Sequence, residues 1–177
     1  MFEYICKDIA AMLRYVPYGL LIGIPVAGCL LLLINRRRRK KEQECLSWPL
    51  FFLWCIAVCI MLLITLLSRE SGTSGTLDLE LFSTLKINTR NNAYVAENVL
   101  LFIPYGLLSA ANFKRSRNLF CGTAIGLITS FLIETTQLVT ERGVFQIDDI
   151  LSNGLGMLLG IVIYHLLHFL VGRKKQK

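Results

Sequence analysis

Charge is scarce in this chain. Of its 177 residues, 18% are Asp, Glu, Lys or Arg and 54% are apolar, where a soluble domain carries about a quarter charged residues. Mean hydropathy is +0.56. The apolar residues fall in long blocks, which excludes a disordered chain and an ordinary cytosolic enzyme. Histidine is nearly absent: His165 and His168 stand at i and i+3 with no third ligand close by, so no metal centre is expected. The six cysteines include no Cys-x-x-Cys spacing; Cys29, Cys55, Cys59 and Cys121 lie in apolar blocks and Cys45 follows a basic run. That pattern supports neither a disulfide framework nor a thiolate site. There is no phosphate-cradling Gly loop, zinc signature or Ser-His-Asp order, and no cofactor is implied. The segment before Tyr15 carries Glu3, Lys7, Asp8 and Arg14, unlike a signal peptide. What remains is an all-α, polytopic membrane helix bundle.

Five apolar segments are each near the ~20 residues that cross a bilayer: Tyr15–Ile34, Trp48–Leu67, Ala93–Phe113, Leu119–Val139 and Ile147–Val171. The second is apolar almost throughout, with Trp48 and Trp54 as interfacial anchors. The third is the weakest, because it contains Glu97, Asn98 and Pro104. The formal charge of +7 would suggest nucleic acid in a soluble protein. Here the bases cluster between apolar blocks as in cytoplasmic loops, so no nucleic acid is expected. Arg36–Lys41, Lys114–Arg117 and Arg173–Lys177 hold 13 of the 19 bases, and placing them inside leaves 10 of the 12 acids on the other side. The expectation is a multi-pass plasma-membrane protein with its amino terminus out and carboxyl terminus in. It divides into an outer-surface amphipathic segment (1–14), a two-helix transmembrane hairpin (15–67), an extracytoplasmic loop (68–92), a three-helix transmembrane region (93–172) and a basic cytoplasmic tail (173–177). Within the loop, Leu77–Phe82 reads as a brief interfacial element. Pro17-Tyr18-Gly19-Leu20-Leu21 echoes Pro104-Tyr105-Gly106-Leu107-Leu108, a hint of a repeat.

The informative residues are the polar ones inside the last three segments. Gly122, Gly126, Ser130, Glu134 and Gln137 recur at helical spacing and share one face. So do Asp149, Asn153, Gly156 and Gly160, and likewise Asn98, Tyr105, Ser109 and Asn112. The glycines read as close helix packing, within the chain or with a second copy through the Gly-x-x-x-Gly faces. Glu134 reads differently. A charged group at the bilayer centre costs on the order of 3 kcal/mol and needs a partner or water. It lies ~8 Å below the outer surface at the helical rise, near the depth of Asn98 and below Asp148 and Asp149. Arg142, in the short loop that follows, is placed to neutralise these acids or to grip a phosphate or carboxylate with its fork. The same residues also fit a purely structural ion pair. Pro104 frees a helical carbonyl and is placed to kink its helix beside the cluster.

Asn98-Val-Leu-Leu-Phe-Ile-Pro104-Tyr-Gly106, then Ser130 with Glu134-x-x-Gln137, then Arg142, Asp148-Asp149 and Asn153-x-x-Gly156-x-x-x-Gly160 together resemble the VanZ-like family of bacterial membrane proteins. The resemblance covers about residues 93–165. Its motif positions fall on Asn98, Pro104, Gly106, Glu134, Gln137, Arg142, Asp149, Asn153 and Gly156. The family's name-giving members confer low-level resistance to teicoplanin, a lipoglycopeptide, without altering the peptidoglycan precursor terminus. The resemblance thus implies a phenotype rather than a reaction. Three classes of action stay open: a binding module for a membrane lipid or lipid-linked envelope precursor, an enzyme acting on a lipid head group, and a small transporter. The candidate ligand-binding cluster is Asn98, Glu134, Gln137, Arg142, Asp148, Asp149 and Asn153; catalytic residues are not assigned.

Overall fold

The computed structural model describes residues 2–67, 76–84 and 89–174, with side chains through Val171 in the last helix. The Ser/Thr/Gly-rich stretch 68–75, residues 85–88 and the end of the basic tail lie outside the described residues. Among the described residues six α-helices form: α1 Phe2–Met12, α2 Val16–Lys40, α3 Trp48–Leu67, α4 Thr89–Asn112, α5 Leu119–Val139 and α6 Ile147–Lys174. One 3-10 turn, Leu13–Tyr15, links α1 to α2, and another, Lys114–Arg117, links α4 to α5. Among the described residues, the run from Phe2 to Lys40 is one of five helices long and apolar enough to cross a membrane. Of these five, α3 has the highest hydropathy and α4 the lowest.

Two helix boundaries differ from the expected ones. The basic run Arg36–Lys40, expected in a connecting loop, is the last stretch of α2. Arg and Lys are good helix formers, and cations in a last turn face the negative end of the helix dipole. At the other end, α4 begins at Thr89, so the expected extracytoplasmic loop ends earlier than residue 92. Local chemistry fixes the remaining termini. Asn118 accepts the Cys121 N–H at 3.0 Å as the N-cap of α5. Asp148 and Asp149 fill the first turn of α6, where carboxylates are favoured.

The core is the α4–α6 pair with α3 and α5 laid against it. Met61, Phe102, Tyr105, Ile133, Met157 and Ile161 form its apolar centre. The glycine stripes allow the approach: a Cβ on Gly106 would strike the Met157 carbonyl, and one on Gly156 or Gly160 would strike Val99 or Ile103. Gly126 faces Met157 and Gly122 faces Ile161. The Gly-x-x-x-Gly faces considered for a second copy are therefore packed against their own chain. Polar residues of the α4 stripe tie helices together: Trp54 donates to Ser109 Oγ (2.9 Å), and Asn112 donates to the Leu50 and Leu108 carbonyls (both 2.9 Å). Outward, Leu21, Leu32, Leu53, Ile128, Leu132 and Leu166 are exposed. Such a belt is expected of helices facing lipid.

The two basic connections meet at one end of the bundle, where Lys114 Nζ stands 3.8 Å from Glu44 Oε2. At the other end lie the C-termini of α3 and α5 and the N-termini of α4 and α6. There Leu77–Asp78 (β1) pairs in parallel with Phe145–Gln146 (β2). The expected element at Leu77–Phe82 is thus a two-residue strand followed by turns.

Candidate functional site

The last carbonyls of a helix have no partner within it, and at the C-terminus of α3 other elements supply them. Gln137 Nε2 donates to the Thr65 carbonyl (2.7 Å), Arg142 Nη1 to Leu66 (3.2 Å) and the Tyr15 hydroxyl to Leu67 (3.3 Å). Residues from α5, the following loop and the α1–α2 turn thereby converge on one helix end. The α5–α6 loop is itself held down. Arg142 N–H donates to the Gln137 carbonyl (2.8 Å), Gln146 N–H to Glu134 Oε2 (3.2 Å) and Phe145 N–H to the Thr76 carbonyl (3.0 Å).

These contacts wall a cavity of about 520 Å³ at that end, within the ~300–1,000 Å³ usual for ligand sites. It is lined by Asn98, Glu134, Gln137, Arg142, Asp149 and Asn153, so three helices and a loop bring six residues of the sequence-derived cluster to one place. Glu134, Gln137, Asp149 and Asn153 are all buried. Asn153 donates to Ser130 Oγ (2.8 Å) at the cavity floor, while its Oδ1 has no hydrogen-bond partner among the described residues.

Asp148 lies elsewhere. Its carboxylate accepts the N–H groups of Phe82 (2.7 Å) and Thr84 (2.9 Å), pinning the segment after β1 to the start of α6. Neighbours on a helix point about 100° apart, which sends Asp149 into the cavity and Asp148 to the loop. Phe82 has φ 61°, uncommon for a non-glycine residue, and the Asp148 bond holds it there. The histidines pack at the basic end: His165 Nε2 is 2.8 Å from the Arg117 carbonyl oxygen, and His168 stacks on Tyr164.

The cavity also has walls that the sequence reading did not assign. From α1 and the turn after it come Asp8, Met12, Arg14 and Tyr15, and from α4 come Arg90, Tyr94 and Glu97. Glu97 is 8% exposed. It lies beside Asp8 of α1 and in the field of Arg90, which itself donates to the Tyr94 hydroxyl (2.8 Å). Glu97 Oε1 is buried without a hydrogen-bond partner among the described residues. The signal in α4 was present: Arg90, Tyr94, Glu97 and Leu101 stand at steps of four, three and four, a helical stripe. The amphipathic α1 gave no hint that Asp8 would reach α4, because that contact spans 89 positions of chain.

The family profile described as VanZ/LLP1 matches residues 50–168. Protein VanZ of Enterococcus faecium is 33% identical over 87 residues, which is 49% of this chain and 53% of that protein. The alignment thus spans about half the length of this curated relative. No solved structure matches. With its five apolar helices and a profile match over most of its length, this is a VanZ-like membrane protein: the chain belongs to the VanZ/LLP1 family.

Proposed function

We propose that this protein binds the head group of a membrane lipid or lipid-linked envelope precursor in the outer leaflet, without turning it over, and so confers tolerance to teicoplanin. The carrying observation is the polar cavity, with two buried oxygens, Asn153 Oδ1 and Glu97 Oε1, that have no hydrogen-bond partner among the described residues. Leaving such a group unsatisfied costs about 1–3 kcal/mol, so the site favours a ligand that brings donors, such as sugar hydroxyls or amides. Arg14, Arg90 and Arg142 border the same space and suit a phosphate or carboxylate. Hydroxyls, amides and phosphate occur together in lipid-linked envelope precursors. The outer leaflet is assigned because the basic connections gather at the opposite end and basic loops stay inside. The amino terminus is then outside and the carboxyl terminus cytoplasmic.

Teicoplanin carries an acyl chain that concentrates it at the membrane, where each buried methylene contributes ~0.8 kcal/mol. A protein holding the precursor in the outer leaflet interferes with that membrane-assisted step and leaves the drug's peptide-binding pocket untouched. Expression in a susceptible Gram-positive host should raise tolerance to teicoplanin more than to vancomycin. Glu134→Gln or Asn153→Ala should abolish the effect at unchanged protein level. Equal shifts for both drugs, or full activity in both variants, would refute the proposal. Incubating the purified protein with envelope-lipid extract should give saturable binding without chemical conversion; conversion would mark an enzyme, and flux in liposomes a transporter.

A further inference from the structure

The basic end of the bundle holds a second cavity, of about 610 Å³, between the α2–α3 and α4–α5 connections. Arg38, Lys114, Arg115 and Arg117 line it, against one carboxylate, Glu44. A preference for cytoplasmic bases accounts for their sign but not for their arrangement, since solvated side chains pointing anywhere would satisfy it. These point inward. In the run Arg36–Lys40, Arg38 is half-buried while its four neighbours are exposed, and its Nη1 donates to the Glu44 carbonyl (2.9 Å). Arg117 is fixed by the Ala110 carbonyl (3.0 Å from Nε) and by the Tyr164 ring (5.5 Å from its guanidinium carbon).

The connection carrying Glu44 is also braced. Asn35 Oδ1 accepts the Leu46 N–H (2.8 Å), its Nδ2 donates to the Leu46 carbonyl (3.4 Å), and Leu46 is buried. The fold therefore holds two cations beside two exposed ones around one space, at a cost in mutual repulsion that an anion would relieve. Trp48, exposed at the start of α3, places this level at the bilayer interface.

We infer that this pocket binds the phosphodiester head group of an anionic phospholipid, a site separate from the polar cavity at the other end. Basic pockets between helices at a membrane face are suited to such head groups. Two cations fixed by main-chain carbonyls present a preorganised fork, and Lys114 and Arg115, both exposed, close on the phosphate from the surface.

The test is lipid titration of the purified protein in a neutral detergent, read as thermal stabilisation. Phosphatidylglycerol should raise the unfolding temperature saturably, while phosphatidylcholine and glycerol phosphate should not. Each cation near a membrane surface is worth about fivefold in affinity. Lys114→Gln with Arg115→Gln should therefore weaken phosphatidylglycerol about 25-fold; both positions are exposed and the pair should fold. Arg36→Gln with Arg39→Gln, the same charge change outside the pocket, should weaken it far less. Equal losses in the two double variants would reduce the effect to diffuse attraction and overturn the site. So would equal stabilisation by phosphatidylcholine, or saturation by glycerol phosphate alone.

Discussion

The contact between α4 and α6 makes a graded prediction for alanine at the glycines. A Cβ on Gly160 would strike the Ile103 carbonyl oxygen and stand 2.6 Å from Leu107 N and 2.9 Å from Gly106 Cα. All three are backbone atoms, so no side-chain rotation relieves the clash. Restoring ordinary contact near 3.5 Å requires the helices to part by roughly 1 Å. Overpacking of this kind costs about 1–3 kcal/mol, and backbone obstruction puts Gly160→Ala at the upper end. The helix-propensity gain from Gly to Ala returns ~1 kcal/mol, leaving a net loss of about 2 kcal/mol, or roughly 4–8 °C for a chain of this size. Gly154→Ala meets only the Leu127 side chain, at 2.5 Å from Cδ2 and 3.2 Å from Cγ, and should cost less than Gly160→Ala. Gly28→Ala meets nothing within 4 Å and should be neutral or stabilising. The assay is thermal unfolding in mild detergent, followed by helical circular dichroism. A Gly160→Ala protein as stable as Gly28→Ala would refute the α4–α6 approach on which the cavity walls depend.

Glu134, Arg142 and Asp149 line one cavity, so thermal double-mutant cycles between Arg142→Ala and Glu134→Gln or Asp149→Asn should show couplings of about 0.5–3 kcal/mol; additive losses for both pairs would make them independent. Asp148→Ala removes the acceptor for two loop N–H groups and should speed proteolysis near residues 76–84 while leaving the helical bundle folded; unchanged cleavage would count against that clamp. Cys6 and Cys45 are both exposed and free. In single-cysteine variants of intact cells, membrane-impermeant thiol labelling should reach Cys6 but not Cys45, and the reverse pattern would invert the proposed topology.

The helical repeat made much of this legible in sequence. Stripes of small and polar residues at steps of three and four fix which face of α4, α5 and α6 turns inward, and that is why Asn98, Glu134, Gln137, Asp149 and Asn153 arrive at one cavity. Periodicity carries no information about what meets that face. The Gly-x-x-x-Gly faces fit a neighbouring helix or a second copy equally well until the partners Met157, Val99 and Ile103 are known. Nor does it separate Asp148 from Asp149, since one step along a helix redirects a side chain by 100°. The β1–β2 ladder pairs two residues with two, too short to leave an alternation, and Leu77 was visible only as part of an apolar–acidic stretch. Arg36–Lys40 reads as a loop by charge and as a helix by propensity, and propensity prevailed.

The division of labour along the chain follows from where the cavity walls originate. The VanZ/LLP1 match runs from residue 50 to 168 and supplies α4, α5 and most of α3 and α6, the part in which glycine contacts set the α4–α6 spacing. Asp8, Ala11, Met12, Arg14 and Tyr15 come from before it, yet they line the same cavity. Tyr15 is the third group on the α3 carboxyl end, beside Gln137 and Arg142. The amino-terminal helices are therefore more than an anchor. α2 packs along α3 through Gly19 and Gly23 against Ile60 and Ile56, and this delivers the turn at Tyr15 to the open end of the site. From there α1 runs beside the start of α4, where Asp8 meets Glu97. A three-helix frame sets the floor at Asn153, held from beneath by Ser130, and a separate amphipathic helix forms one wall. In that arrangement the wall can diverge between relatives without disturbing the packing that holds the floor.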